Sequence, residues 1–199
     1  MKKSNRRIVV FVSLVGVLTL TSALLLALAP APLAPDASSS LFAVDTPESM
    51  DAIFQTHVTP KSNRWKYIYV HHSHTQAGNA LSLSEQTGGL SDHFVIGNGE
   101  GAIDGEIQMS QRWTQQNAAN PPQGATGIDP NCISICLVGD FEHAVPTATQ
   151  LRRLAQLVNV LQGRFDIPAG QVLLLNQSDS EAGMGRYFPA TAFREQLLP

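Results

Sequence analysis

The stretch from Trp65 to Thr75, WKYIYVHHSHT, constrains this chain more than any other. β-Branched and aromatic residues run through it and it ends in three histidines, so it reads as a strand carrying metal-ligand side chains to its own carboxyl end. Strand periodicity sets Tyr67, Tyr69 and His71 on one face and Ile68, Val70 and His72 on the other. Both faces are largely apolar before the histidines begin, which is the pattern of a strand buried on both sides inside an α/β sheet.

The rest of the chain supplies the partners such a strand needs. Gln76 to Leu90 is rich in Gly, Ser and Thr and has room for a short helix around Leu81 to Thr87. Asp92 to Gly97 reads as a second strand, Asn98-Gly99-Glu100-Gly101 as a turn, and Gly105 to Met109 as the returning arm of a hairpin. No helical pattern follows these glycines, which argues against a phosphate cradle. From Arg112 to Pro130 the sequence is polar and long enough for a functional loop, within which Trp113 either lines a groove or pins the loop. Cys132 to Val138 is the next buried strand. Thr147 and Gln150 form a capping-box pattern ahead of Leu151, Leu154, Leu157, Val158 and Leu161 at helical spacing, a stripe that packs a core. Gly163 and Pro168 are expected to end that helix, Val172 to Leu175 to form a last strand, and Phe193 to Leu198 a terminal helical turn. This order predicts an α/β domain with a central mixed β-sheet flanked by helices.

The amino-terminal residues belong to a different regime. Lys2, Lys3, Arg6 and Arg7 precede an uncharged run over residues 8–29, about 33 Å long as a helix and enough to cross a ~30 Å hydrocarbon core. The expectation is a transmembrane anchor with residues 1–7 cytoplasmic, although Ala27-Leu28-Ala29 offers a signal-cleavage site that would make the protein secreted. Residues 30–44 then form a Pro/Ala/Ser linker and residues 45–199 the folded domain, outside the cytoplasm. Four of the 13 basic residues lie in the first seven positions, leaving nine against 16 acidic ones. That balance excludes nucleic acid as a natural partner.

Cys132 and Cys136 are the chain's two cysteines. On one strand their Cα atoms stand about 13 Å apart, far beyond the ~7 Å limit for a disulfide. They read as small buried side chains, since a lone Cys-x3-Cys is weak evidence for zinc.

The succession YVHHS, DHFVIGNGEG with DGEI, RW, NCISICLVGDFE, PT--Q before a leucine-rich helix, and G-x-x-FP resembles the N-acetylmuramoyl-L-alanine amidase and peptidoglycan recognition protein superfamily from about Trp65 to Phe193. The resemblance implies a zinc ion held by the first His of the pair closing the first strand, a second His after the last strand, and a Cys or Asp beyond it. Carried onto this chain, the first ligand is His71. The second position falls in Asn176-Gln177-Ser178-Asp179, on Gln177, or on Asn176 if the register slips by one. The third falls in Gly183-Met184-Gly185, on Gly183. Asp92 stands where many catalytic members carry a tyrosine that assists the reaction, and no basic residue precedes Gly183. A carboxamide and a glycine cannot replace two zinc ligands, when a full structural set supplies roughly 10 to 16 kcal/mol. The expectation is therefore no bound cofactor, with zinc retained only if His74, Asp92 or Asp179 joins His71 in a rebuilt site.

Three functions follow from the resemblance. The first is a membrane-tethered module that recognises peptidoglycan without cutting it, with Arg112, Trp113 and Arg186 at the groove rim and Tyr69, His71 and His93 on its floor. The second is a zinc amidase cleaving the bond between the lactyl group of N-acetylmuramic acid and L-alanine. The third is a tethered scaffold for another protein. The remaining histidines read as structural: His72 packed on its strand, His74 in a turn, His93 hydrogen-bonded in the core, and His57 and His143 on the surface.

Overall fold

The structure, a computed structural model, describes residues 11, 14–17, 19, 21, 50–61, 63–119, 129–174 and 184–199. The chain divides into two units, Met1–Ala37 and Ser38–Pro199. In the first, the described residues are helical, and the Thr19 and Thr21 hydroxyls donate back to the Val15, Gly16 and Val17 carbonyls. Among the described residues no helix is long and apolar enough to cross a membrane. The expected span over 8–29 falls largely outside them, and segments 1–7 and 30–44 wholly so.

The second unit is a mixed α/β domain built on a five-stranded sheet in the order β3-β2-β4-β1-β5. The strands are β1 (Tyr67–His72), β2 (Phe94–Ile96), β3 (Ile107–Met109), β4 (Cys132–Leu137) and β5 (Val172–Leu174). β1 runs parallel to β4 and to β5, and β2 is parallel to β4 but antiparallel to β3, its hairpin partner. Among the described residues of this unit, α1 (Ala80–Thr87), α2 (Gln111–Thr114), α3 (Ala148–Phe165) and α4 (Ala190–Arg194) accompany them. The carboxyl-terminal helix thus begins three residues ahead of the expected Phe193.

α3 starts where the sequence places it. Thr147 Oγ1 accepts from the Gln150 N–H while the Gln150 side chain reaches back to the Thr147 N–H, which satisfies two end donors reciprocally. The amide of Gln150 does further work, donating from Nε2 to the Ile96 and Val138 carbonyls and so tying the helix to the ends of β2 and β4. Leu154, Leu157, Val158 and Leu161 are fully buried against Ile68, Val70, Ile133, Ile135 and Leu137. The helix does not stop at Gly163. It continues through Phe165, whose ring the core takes in, and ends at Asp166 in the left-handed conformation. A helical glycine costs about 1 kcal/mol relative to alanine, less than burying Phe165 returns.

On the opposite face of the sheet the described residues form two smaller apolar clusters. α1 is capped by a reciprocal Asn79–Ser82 box and closed by Gly88, and it lays Ala80 and Leu83 on Val95, Cys136 and Val138. Tyr69 and Cys132 pack with Ala119 further along. The two faces of β1 therefore lead to different surroundings: a thick core under α3 on one side and a thin polar-lined layer on the other.

Candidate functional site

Parallel pairing of β1 with β4 sets Tyr67 beside Cys132, Tyr69 beside Ser134 and His71 beside Cys136. Because paired residues share a face, tyrosine, histidine, serine and cysteine side chains gather on the thinly covered side of the sheet. Asp92 joins them from the loop before β2. Its position is fixed by its neighbour: the His93 N–H donates to the Ser134 carbonyl, and the Ser134 N–H donates to Nδ1 of His93, both at 3.0 Å. The Asp92 carboxylate is then brought onto the Ser134 hydroxyl and, at 2.7 Å, onto Nε2 of His71.

This contact decides the chemistry of His71. Nδ1 lies 3.2 Å from the His72 carbonyl, an oxygen that can only accept, and Nε2 faces an ionised carboxylate, which also only accepts. Both contacts favour a proton on each nitrogen of the ring. Burial works against its charge, yet the Asp92 carboxylate outweighs burial and holds His71 above the ordinary histidine value. Burial likewise opposes the Asp92 charge, and His71 with the Ser134 hydroxyl holds that carboxyl below its ordinary value. Across the strand, burial pushes the Cys136 thiol well up, so its sulfur stays protonated.

His71, Asp92 and Cys136 each present a donor atom within 4.8 Å of the others, so their fit to zinc can be tested directly. Two ligands at zinc distances of about 2.0 to 2.2 Å and a separation of 2.7 Å subtend roughly 80°, well short of tetrahedral. The pair is spaced for a shared proton, and an ion held by these three residues would have to displace the protons on His71 and Cys136. At this spacing the His71 and Asp92 atoms do not serve one tetrahedral zinc together. Gln177, Asn176, Asp179 and Gly183, on which the other expected ligand positions fall, lie outside the described residues.

The structure scatters the other expected site residues. Trp113 is fully buried and donates its indole N–H to the Ile53 carbonyl; it pins the loop and is not at a rim. His93 is fully buried as well, Nε2 on the Asn117 carbonyl at 2.8 Å and both tryptophan rings edge-on to it. It belongs to the core and not to a groove floor, and burial drives it down to about 4. Tyr69 is buried beside Cys132, its hydroxyl raised above the ordinary value by burial. Arg112 spends its guanidinium on the Leu90 and Ala118 carbonyls, at the edge of a cleft of about 340 Å³ between α1 and α2 lined also by Ser84, Gly89 and Asn117. Arg186 is on the surface, 3.6 Å from Glu142 and 71% exposed. Cys132 and Cys136 are free and buried, as the strand spacing requires.

Sequence reading alone gave no role to Ser134 or Cys136 beside His71. The signal was present as strand parity, since residues 132, 134 and 136 share a face, but it became usable only once β4 was known to lie beside β1 in that register.

The sequence profile of the family described as N-acetylmuramoyl-L-alanine amidase matches residues 61–182. No curated protein sequence matches the chain. Among solved structures, a selenomethionine derivative of AmpD aligns with a TM-score of 0.50 at 18% identity, over 69% of this chain and 87% of that one. The amidase LysC from Clostridium intestinale URNW gives 0.49 at 18% identity, over 68% and 86%. A Drosophila PGRP-LB mutant in complex with tracheal cytotoxin gives 0.46 at 21% identity, over 65% and 80%.

Proposed function

Because the chain belongs to the N-acetylmuramoyl-L-alanine amidase family, we propose that it recognises peptidoglycan through the family's fold without zinc-dependent cleavage. The His71–Asp92 pair carries this reading. Family catalysis needs a neutral imidazole whose lone pair holds the ion that activates water. Here Nε2 of the imidazole is taken up by the Asp92 carboxylate at 2.7 Å, which favours its protonated form. Gln177 and Gly183, at the other ligand positions, bring a carboxamide and no side chain. Such a site keeps the family's fold while lacking the means to ionise water.

Muropeptides carry carboxylates, so cationic side chains are the natural contacts. Arg186 is exposed beside Glu142, and Arg112, held by the Leu90 and Ala118 carbonyls, borders the cleft between α1 and α2. Tethering completes the reading: residues 8–29 anchor the chain in the cytoplasmic membrane, 1–7 stay cytoplasmic, and 30–44 hold domain 45–199 outside, within reach of the wall.

The full chain incubated with purified sacculi is expected to sediment with them and to release no soluble muropeptide. Absence of retention removes the recognition reading. Muropeptide release that disappears in His71→Ala replaces it with the amidase, which the proximity of His71, Asp92 and Cys136 donors would then explain. Partition of the full chain into the membrane fraction, lost on deletion of residues 1–29, tests the tether.

A further inference from the structure

β1 ends in two consecutive histidines, and strand parity sends His72 to the face opposite His71. His72 is wholly buried there and stacked on Phe141, ring centroids 5.1 Å apart at 22°. Its Nδ1 lies 3.1 Å from the Gly139 carbonyl and 3.2 Å from the Phe141 N–H. Whichever of these it engages, Nε2 has no hydrogen-bond partner among the described residues. A buried polar atom left alone in a folded protein calls for an explanation.

The surroundings of Nε2 supply one. His74 lies at φ 57°, a left-handed conformation that histidine adopts more readily than most non-glycine residues. The result is an imidazole with its centroid 3.8 Å from that of His72. On the other side, β4 leaves the sheet through Gly139 at φ 153°, where a Cβ would stand 2.5 Å from the Phe141 ring. This glycine lets Asp140 turn back towards β1. His72, His74 and Asp140 each offer a donor atom within 4.8 Å of the other two. The His72 ring is buried, Asp140 half-buried and His74 exposed, so the cluster has a solvent entrance.

We infer that His72, His74 and Asp140 form a divalent metal site of the zinc class, separate from the His71 position of the family and on the other face of β1. Two imidazoles and a carboxylate are the donor set that zinc and its late first-row neighbours prefer, with water completing the shell. An ion at Nε2 requires the tautomer in which His72 Nδ1 donates to the Gly139 carbonyl rather than accepting from the Phe141 N–H, so that Nε2 presents its lone pair. Burial, and after it the His74 ring, hold His72 below the ordinary histidine value, and burial holds His74 below it against the opposing pull of Asp140. Asp140 also accepts from the exposed His143 and from the Glu142 N–H, which leaves lone pairs on its carboxylate for an ion. The ion fastens the end of β1 to the exit of β4, a structural role that does not rest on the peptidoglycan reading.

The test is zinc binding by the full chain stripped with a chelator, followed by competition against a chromophoric indicator, with cobalt absorption reporting the donor set. One equivalent is expected at micromolar affinity or tighter, with a rise in melting temperature. His74→Ala and Asp140→Asn, both accessible positions, should each weaken binding by about tenfold or more without altering the zinc-free melt, whereas His71→Ala leaves binding intact. Failure of the parent chain to bind zinc below about 100 µM overturns the assignment. So does affinity unchanged in His74→Ala and Asp140→Asn, or affinity abolished by His71→Ala. Sacculus retention is read separately, so either result stands without the other.

Discussion

His71 and His72 are neighbours in sequence and opposites in state. One faces the thin side of the sheet, meets a carboxylate at 2.7 Å and has both ring nitrogens engaged. The other faces the thick side, meets a backbone carbonyl and keeps one nitrogen idle. The lesson is that a histidine's chemistry comes from what the adjoining strand brings alongside, and that one step along a strand exchanges the whole environment. A proton with a counter-charge fills the first position, while the second is shaped for a cation.

The contrast can be broken hardest at Asp92. Asp92→Ala removes the counter-charge from a buried imidazolium and should cost roughly 3 to 5 kcal/mol, read as a lower urea midpoint at pH 7. A loss under about 1 kcal/mol would mean that His71 is neutral in the native state and the two histidines are alike. Acid gives the next largest effect, through His93. Its folded value of about 4 lies below the unfolded 6.5, so the unfolded chain binds more protons between those values. Stability is full above pH 6.5 and falls as pH drops through 4, by on the order of 3 kcal/mol from this group. Urea titrations at pH 7.5, 5.5 and 4 check the sign and the window.

Ser134→Ala is smaller. It removes the hydroxyl donated to Asp92 but leaves the ion pair, for a loss of about 1 to 2 kcal/mol. An effect as large as that of Asp92→Ala would place the serine, rather than the histidine, at the centre of the cluster. His74→Ala should be smallest, within about 0.5 kcal/mol in metal-free buffer, since its ring is exposed. A large loss there would show that His72 depends on that ring for packing and would erase the asymmetry between the two clusters.

Local features were legible before any coordinates. The alternation in WKYIYVHH set the faces of β1, and Thr147 with Gln150 marked the start of α3. These signals act within a few residues of each other, which is why sequence exposes them. Gly163 misled, because a propensity of about 1 kcal/mol yields to the burial of Phe165. Trp113 was left open between groove and core because only the carbonyl of Ile53, 60 residues away, decides it. The site was legible in half. Resemblance pointed to His71, and Asp92 was weighed only as a co-ligand of a metal rather than as its hydrogen-bond partner, while Ser134 is 42 residues from Asp92 and enters only through the β1–β4 register. His74 was read as a turn residue, and its place beside His72 follows from a left-handed backbone that no propensity announces.

The order of strands carries a consequence for how the chain emerges during synthesis. β4 lies between β1 and β2, yet both of those are made before it. Until it arrives they must stay apart, each with an unpaired edge, while the β2–β3 hairpin closes on its own. A nascent chain stalled at that stage exposes aggregation-prone strands, and escort by a holdase or export machinery would matter most just before residue 132 leaves the ribosome.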